Sequence, residues 1–273
     1  MNKIEIADII VAKLNENKVS LKIFFEESSD EITTRYFCLD NLLPEELALD
    51  TYKGFPDDDT WFRRSTFREK KLTYAKIDGL DSKLPANVTD SFHDPRVVNL
   101  VSEIVSIQDL ESDSSLYAGG ISRMDQTHFL NPHIDNSHDS NRKRYRRLNL
   151  LYYVAPGIEE KDGGNLEFWD QHVTNPLKIA SKFNRLVVME TTSTSWHSVD
   201  PVVSDISRCC VSNYYFSKSS PTGKDYYHVT SFLGRPGQTG RRIYGRVDNF
   251  LRRSVSKITG ISRGKGLTRN EQA

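Results

Sequence analysis

The spacing of apolar and polar residues first separates a helical N-terminal part from a strand-rich remainder. Apolar side chains recur at a loose helical period over residues 4–14 and predict a helix. Residues 19–25 alternate apolar and polar positions, which predicts a strand. A further strand is predicted at residues 36–39. It leads into a helix that has Pro44 at an early position and acidic residues in its first turn.

The next stretch keeps this mixed character up to Gly120. Residues 54–66 have the composition of a loop, whereas residues 94–110 carry the apolar spacing of an amphipathic helix. Beyond Gly120, short apolar runs alternate with Asn, Asp, Gly and Pro, which is typical of antiparallel strands joined by turns. The predicted strands are residues 121–124, 147–155, 165–169, 185–190, 195–199 and 208–216.

This pattern predicts a mainly β fold with flanking helices, in the α+β class. Closely spaced short strands favour a sandwich or barrel, and a double-stranded β-helix of the jelly-roll, cupin-like type is the natural member. We divide the chain into an N-terminal extension (1–35), a main domain (36–220) whose β-helix core spans about 115–217, and a basic C-terminal extension (221–273) that packs on the core.

The C-terminal extension contains a predicted basic amphipathic helix. Apolar residues fall on one face, and arginine and lysine residues lie elsewhere around it; the apolar set is Val247, Phe250, Leu251, Val255, Ile258 and Ile261. Such a helix can lie on an anionic membrane surface or bind nucleic acid. The interpretation we favour is that its apolar face packs on the domain while its arginines meet the acidic N-terminal region.

Composition narrows the class of protein. The chain has 273 residues, of which 37% are hydrophobic and 27% charged, and its net charge is zero. The charge is uneven, because residues 1–60 hold 6 Lys/Arg against 14 Asp/Glu and residues 231–273 hold 10 against 2. Three cysteines form neither a disulfide framework nor a zinc pattern. Apolar runs are too short for a transmembrane segment, and residues 1–10 lack the apolar stretch of a signal peptide, so we expect a cytoplasmic protein.

Candidate chemistry lies in one stretch of the strand-rich region. His133 and Asp135 are two residues apart, so on a strand their side chains share a face. His197 follows 64 residues later and can return on a facing strand, and Arg208 comes eleven residues after it. Two histidines and one carboxylate can bind one face of an Fe(II) ion and leave the other face open. An arginine offers a planar, permanently charged partner for a carboxylate.

These motifs resemble the prolyl-4-hydroxylase-like branch of the Fe(II)/2-oxoglutarate dioxygenase superfamily. The resemblance covers roughly residues 36–217. The matching pieces are Phe129 to Asp135, Arg147 to Tyr153, Gly163 to Leu166, Trp196 to Val199, and Arg208, with a weaker match at Phe37 to Asp40. The resemblance implies that His133, Asp135 and His197 ligate iron, with Fe(II), 2-oxoglutarate and O2 as cofactors and ascorbate as an auxiliary reductant.

The resemblance also implies how the co-substrate is held. Arg208 would pair with the distal carboxylate of 2-oxoglutarate, where many prolyl hydroxylases use lysine. Tyr153 or Asn149, which alternation places on the same face of one strand, would hydrogen-bond that carboxylate. Arg123 stands where relatives often have a tyrosine near the co-substrate. A cation there could instead bind an anionic group of the substrate, which speaks against a peptidyl proline.

The activity implied is hydroxylation of an unactivated C–H bond in a small molecule, with release of succinate and CO2. A small molecule that carries an anionic group is one option for the substrate. Alternatives are a prolyl (peptidyl) 4-hydroxylase, a cupin-like isomerase or hydrolase, and a non-enzymatic module that recruits partners through its basic tail. The basic run 142–147 either guides an anionic substrate or nucleic acid, or is a solvated hairpin loop. Tyr214 and Tyr215 are interpreted as core and sheet packing.

Overall fold

The computed structural model describes residues 1–27, 32, 34–245, 247 and 269. The helices are α1 (Lys3–Glu26), α2 (Glu45–Lys53), α3 (Leu84–Ser91) and α4 (Pro95–Val105), and residues 239–245 are also helical. The strands are β1 (Tyr36–Asp40), β2 (Phe62–Ser65), β3 (Glu69–Tyr74), β4 (Glu111–Ser112), β5 (Gly120–Met124), β6 (Phe129–Ile134), β7 (Tyr145–Tyr153), β8 (Leu166–Trp169), β9 (Pro176–Ile179), β10 (Arg185–Glu190), β11 (His197–Val199), β12 (Arg208–Ser217) and β13 (Ser231–Phe232).

Helix α1 shows where local pattern and tertiary packing disagree. It begins with a capping box, in which the Asn2 side chain accepts from the backbone of Glu5 and the Glu5 side chain accepts from that of Asn2. The helix predicted at residues 4–14 is confirmed, but the strand predicted at residues 19–25 is wrong. The helix continues because its buried face does, through Leu21 and Phe25, and this packing outweighs the local preference for strand.

The other predictions for the first 110 residues are mostly confirmed. Strand β1 appears as expected, and α2 follows with Pro44 as its N-cap residue. The helix predicted at residues 94–110 is α4, which ends earlier because Ser106 adopts a left-handed conformation. The loop predicted at residues 54–66 is wrong in its last part, since β2 forms there. Its mostly exposed side chains give no apolar signal.

The strands form one curled antiparallel sheet in the order β1-β10-β7-β12-β5-β3-β6-β11-β8-β9, with β13 added beside β6. The two halves of the sheet face each other, and apolar side chains fill the space between them. These are Leu151, Tyr153, Leu166, Phe168, Val187, Met189 and Cys210. The double-stranded β-helix core is confirmed, as are the six predicted strands, which correspond to β5, β7, β8, β10, β11 and β12.

Strand β7 is buried on both faces and separates the helices from the interior of the curled sheet. Leu148, Leu150 and Tyr152 face the helices and belong to the main core. Asn149, Leu151 and Tyr153 point to the opposite side, because successive side chains of a strand alternate. A register shift against β12, between Leu148 and Arg146, interrupts this alternation and places Arg146 on the same side as Asn149. That interior side carries the candidate site.

The C-terminal extension is described in part. It adds β13 and the helical residues 239–245, while the predicted amphipathic helix lies outside the described residues apart from Val247. Arg269 pairs with Asp78 and with Asp90, whose carboxylate lies 2.7 Å from the Arg269 Nη1 atom. Among the described helices, none is both long and apolar enough to cross a bilayer.

Candidate metal centre

The structure brings His133, Asp135 and His197 together inside the curled sheet. His133 and His197 are direct partners in the β6–β11 pairing, so their side chains share a face, and their ring centroids are 4.1 Å apart. Asp135 follows the end of β6. Its carboxylate lies 3.6 Å from His133 Nε2 and 3.8 Å from His197 Nε2. One potential ligand atom from each residue lies within 4.8 Å of the others.

Hydrogen bonds orient both imidazoles toward the centre of this cluster. The Nδ1 atom of His133 lies 3.0 Å from the Asn131 carbonyl oxygen, and that of His197 lies 2.9 Å from the Ser195 carbonyl oxygen. A carbonyl accepts, so each Nδ1 carries the proton and each Nε2 presents its lone pair. Burial lowers the pKa of His133 to about 3, which keeps this imidazole neutral, as a metal ligand requires.

Asp135 is ionised and only partly compensated. Burial acts to raise the pKa of its carboxyl, but the positive charges beside it, Arg146 first, outweigh burial and lower the pKa to about 2. The Arg146 Nη1 atom lies 3.5 Å from Asp135 Oδ2, which is buried and has no hydrogen-bond partner among the described residues. A buried carboxylate oxygen without a partner is costly unless a cation binds it.

The three side chains therefore fit an Fe(II) ion. Two imidazole nitrogens and one carboxylate oxygen form the donor set that non-haem iron oxygenases use, and one such atom from each residue lies within 4.8 Å of the others. The unpartnered oxygen of Asp135 is directed at this cluster, so a divalent cation would satisfy it.

Arg208 lies in the interior close to this cluster and is almost fully buried. Its Nε donates to Ser181 Oγ at 2.9 Å, and its Nη2 donates to the Tyr153 hydroxyl at 3.2 Å. Burial raises the pKa of Tyr153 to about 12, so the hydroxyl stays protonated. Of the two residues considered for this position, Tyr153 contacts Arg208. Asn149 instead lines the cavity with its Oδ1 atom unpaired.

Gly164 is needed for the position of Arg208. Its φ is +71°, and a Cβ atom there would lie 3.1 Å from Arg208 Cδ and 3.1 Å from Val202 Cγ2. Ser181, to which no sequence motif points, donates to the Gly164 carbonyl at 2.7 Å and accepts from Arg208. The glycine turn thus supports the arginine through both packing and a hydrogen bond.

We expect Gly164→Ala to lower the stability of the protein by about 1–2 kcal/mol from the left-handed backbone, and further because the new methyl group, 3.1 Å from Arg208 Cδ, requires that side chain to shift. It should also weaken 2-oxoglutarate binding. Gly157→Ala is the matched control, because Gly157 has φ +73° but nothing within 4 Å of its Cβ position. Urea unfolding measures the stability of both variants. Equal losses of stability in the two would contradict the role given to Gly164.

Arg123 is not brought into this site. Its neighbours Ser122 and Met124 line the interior cavity, whereas Arg123 points to the other face of β5. There its Nε donates to Asp125 at 2.7 Å and to Ser207 Oγ at 3.2 Å. Strand alternation therefore places Arg123 away from the position where the resemblance put it.

Arg146 is a site residue that sequence reasoning missed within the basic run 142–147. The run is not simply a solvated loop, since Arg146 and Arg147 are buried in β7. The Arg146 guanidinium lies 3.9 Å from the centroid of the Tyr214 ring, and its Nε and Nη2 atoms have no hydrogen-bond partner in the part of the chain that the structure describes. Tyr214 thus lines the cavity, while Tyr215 is core packing as predicted. The sequence shows that Arg146 is charged, but it does not show that Arg146 is buried.

A cavity of about 400 Å³ joins these groups, which is in the range of small-molecule sites. Its lining carries five cationic side chains (Arg64, Arg68, Lys71, Arg146 and Arg208) against two carboxylates (Glu69 and Asp135). The charges of a divalent cation and of the dianion 2-oxoglutarate cancel each other. The surplus of positive charge in the lining therefore remains when both are bound.

Comparison with known proteins agrees with this geometry. Residues 119–216 match the family model of the 2OG-Fe(II) oxygenase superfamily. The chain is similar to a Pseudomonas putida prolyl-4-hydroxylase structure (13% identity, 77% of this chain, 100% of that chain, TM-score 0.52). It is also similar to a Phytophthora capsici prolyl 4-hydroxylase (18% identity, 92% of this chain, 77% of that chain, TM-score 0.51). A third similar structure is SnoN, a non-haem α-ketoglutarate-dependent epimerase from nogalamycin biosynthesis (10% identity, 82% of this chain, 87% of that chain, TM-score 0.50). No curated protein matches the chain.

At these identities the structural likenesses establish the fold, and the family match establishes the class of enzyme. The match contains every site residue proposed from the resemblance, from Arg123 to Arg208, but not the weaker match at Phe37 to Asp40. The predicted resemblance, the dioxygenase class and the cofactors Fe(II) and 2-oxoglutarate are confirmed. The cupin-like isomerase or hydrolase and the non-enzymatic module are set aside.

Proposed function

We propose that this chain, a 2-oxoglutarate-dependent dioxygenase whose residues 119–216 match the 2OG-Fe(II) oxygenase superfamily, hydroxylates an unactivated C–H bond of an anionic small molecule. The proposal rests on the surplus of positive charge in the lining of the cavity. It rests above all on the buried Arg146 guanidinium, two of whose nitrogen atoms have no hydrogen-bond partner within the described ranges. Unpartnered buried donors are costly, so an anionic group that accepts from them gains affinity.

Three residues would hold the iron, and one would hold the co-substrate. His133, Asp135 and His197 are the proposed ligands, with one potential ligand atom of each within 4.8 Å of the others. Arg208 would bind the distal carboxylate of 2-oxoglutarate. When bound, these cofactors supply the oxidising chemistry, in which O2, 2-oxoglutarate and the substrate C–H bond yield succinate, CO2 and a C–OH group.

The protein's part is to orient the substrate and exclude water. Arg146 lies beside Asp135, so an anionic group held by its free N–H groups would place the rest of the substrate next to the metal. In the lining of the cavity, Lys71 lies 3.1 Å and Arg64 3.8 Å from Glu69, so the two cations share one carboxylate. This arrangement would attract anions from solution, with a dependence on salt.

Peptidyl proline is the second candidate substrate, and the fold likeness to the Pseudomonas putida prolyl-4-hydroxylase favours it. The two candidates separate in one assay of substrate-dependent succinate release. Carboxylated and phosphorylated small molecules should stimulate release more than their neutral analogues and more than a proline-containing peptide. Stimulation by the peptide alone would overturn the small-molecule proposal and leave the dioxygenase class untouched.

We expect Arg146→Met to raise the KM for the anionic substrate by roughly 30-fold or more, because a buried charged contact of this kind is worth about 2–5 kcal/mol. The visible absorption band of the Fe(II)–2-oxoglutarate chelate should remain. Arg63→Met is the matched control, since Arg63 is exposed on β2 and does not line the cavity. Loss of the band in Arg146→Met would mean that Arg146 supports Asp135 instead of binding substrate.

A further inference from the structure

The C-terminal extension reaches the proposed metal ligands. Strand β13 pairs with β6 so that Phe232 is the direct partner of His133. The pairing is continued by backbone hydrogen bonds from Leu233 N to the Pro132 carbonyl at 2.8 Å and from Ser137 N to the His228 carbonyl at 3.0 Å. The segment thus covers the edge of β6 that carries the end of the metal-binding motif.

Phe232 contacts the imidazole of His133 face to face. The ring centroids are 5.3 Å apart and the ring planes differ by 17°, so the rings are stacked. On the other side of His133 lies His197, giving a row of three rings across β11, β6 and β13. The Nδ1 hydrogen bond fixes one point of the His133 ring, but rotation about its χ2 angle is otherwise soft. The stacked phenyl ring restricts that rotation.

A buried ion pair holds the segment in this position. Arg235 Nη2 lies 2.6 Å from Glu167 Oε2 on β8, and it donates to the Val199 carbonyl at 3.0 Å. Glu167 is 1% exposed and also accepts from Ser198 Oγ at 2.5 Å. Because Ser198 follows His197, the anchor is attached to the strand that carries another proposed ligand.

Further contacts extend the anchor on both sides of Arg235. Leu233 packs in a cluster with Trp169, Val173 and Trp196. Arg242 donates to the Val173 carbonyl at 2.9 Å and to the His172 carbonyl at 2.8 Å. The segment is therefore fixed by a charge pair, by apolar packing and by backbone acceptors, all on the half of the sheet that contains β8 and β11.

We propose that residues 228–242 are a structural part of the metal site, in which Phe232 is a positioning residue for His133 and the Arg235–Glu167 pair holds Phe232 in place. This inference rests on the proposed function, because it takes His133 as a metal ligand. It assigns to the C-terminal extension a direct effect on metal affinity and on the geometry of the ligands, independent of the substrate.

Titration of the metal-free full-length protein with Co(II), followed by its visible absorption bands, tests the proposal without turnover. An aromatic contact contributes about 0.5–1.5 kcal/mol, so Phe232→Leu should weaken Co(II) binding roughly 2–10-fold and change the shape of the bands. Phe232→Tyr keeps the ring and should bind Co(II) as the wild type does. Phe24→Leu is the matched control, because Phe24 is exposed on α1. Thermal unfolding confirms that each variant is folded.

Arg235 is tested by its coupling to Phe232. Arg235→Met should weaken Co(II) binding in the wild-type background but add little to Phe232→Leu, because the anchor acts through the ring. Arg235→Lys, which keeps the charge, should weaken Co(II) binding less than Arg235→Met does. Equal Co(II) affinity and identical bands in the wild type and Phe232→Leu would overturn the inference, as would equal effects of Arg235→Met in both backgrounds. Failure of the wild type to bind Co(II) would instead overturn the proposed function.

Discussion

Replacement of His197 by alanine is expected to remove metal binding and turnover. His197 is held in place by its cross-strand partner His133 and by the hydrogen bond from its Nδ1 to the Ser195 carbonyl. Among the described residues, His133, Asp135 and His197 form the group of His, Cys, Asp and Glu side chains that could hold a metal ion, so no other side chain of these types replaces the lost ligand. Removing a residue that hydrogen-bonds to a metal ligand already weakens metal binding about 10–100-fold. Removing the ligand itself should therefore weaken metal binding by more than about 100-fold.

The measurement is anaerobic addition of Fe(II) and then 2-oxoglutarate, with the chelate absorption band as the signal. Wild-type protein should give the band, and His197→Ala should give none. His172→Ala is the matched control, because His172 is an exposed histidine outside the cavity. A folded His197→Ala protein that binds Fe(II) within about tenfold of the wild type would exclude this histidine as a ligand.

The geometry of His133, Asp135 and His197 could be predicted because it depends on local rules. The i, i+2 spacing places two side chains on one face of a strand, and strand-rich sequence between them allows a third to return. The same alternation correctly grouped Asn149 with Tyr153. It could not tell which of them contacts Arg208, since that depends on side-chain length and on the distance between β7 and β12.

The features that could not be predicted from the sequence depend on non-local pairing and on burial. Arg146 belongs to a run of charges, and its burial results from the pairing of β7 with β12 and from the aromatic rings of Tyr214 and Phe216 beside its guanidinium. Phe232 lies far along the chain from His133, and nothing in its surroundings indicates that it pairs with β6. The strand wrongly predicted at residues 19–25 has the same origin, because the helix there is decided by packing on other helices.

Arg208 gives the second large expected effect. Its hydrogen bonds go to neutral groups, namely Ser181, Tyr153 and the sulfur of Met124, so among the described side chains its counter-ion is missing. We propose that the distal carboxylate of 2-oxoglutarate is this counter-ion. Arg208→Met should then raise the KM for 2-oxoglutarate by roughly 30-fold or more, from the loss of a buried charge pair worth about 2–5 kcal/mol.

The binding of metal alone separates this role from a general structural one. Arg208→Met should bind Co(II) within about threefold of the wild type, since Arg208 is not a ligand, while its chelate band should need far more 2-oxoglutarate. The affinity of Arg208→Lys for 2-oxoglutarate should lie between those of the wild type and Arg208→Met. An ammonium group keeps the charge but lacks the paired N–H geometry that matches a carboxylate. Arg96→Met is the control, as Arg96 pairs with Asp8 and Asp94 and does not line the cavity. An unchanged KM in folded Arg208→Met would mean that the co-substrate carboxylate is bound elsewhere in the cavity, with Arg146 and Lys71 as the remaining cations beside the proposed ligands.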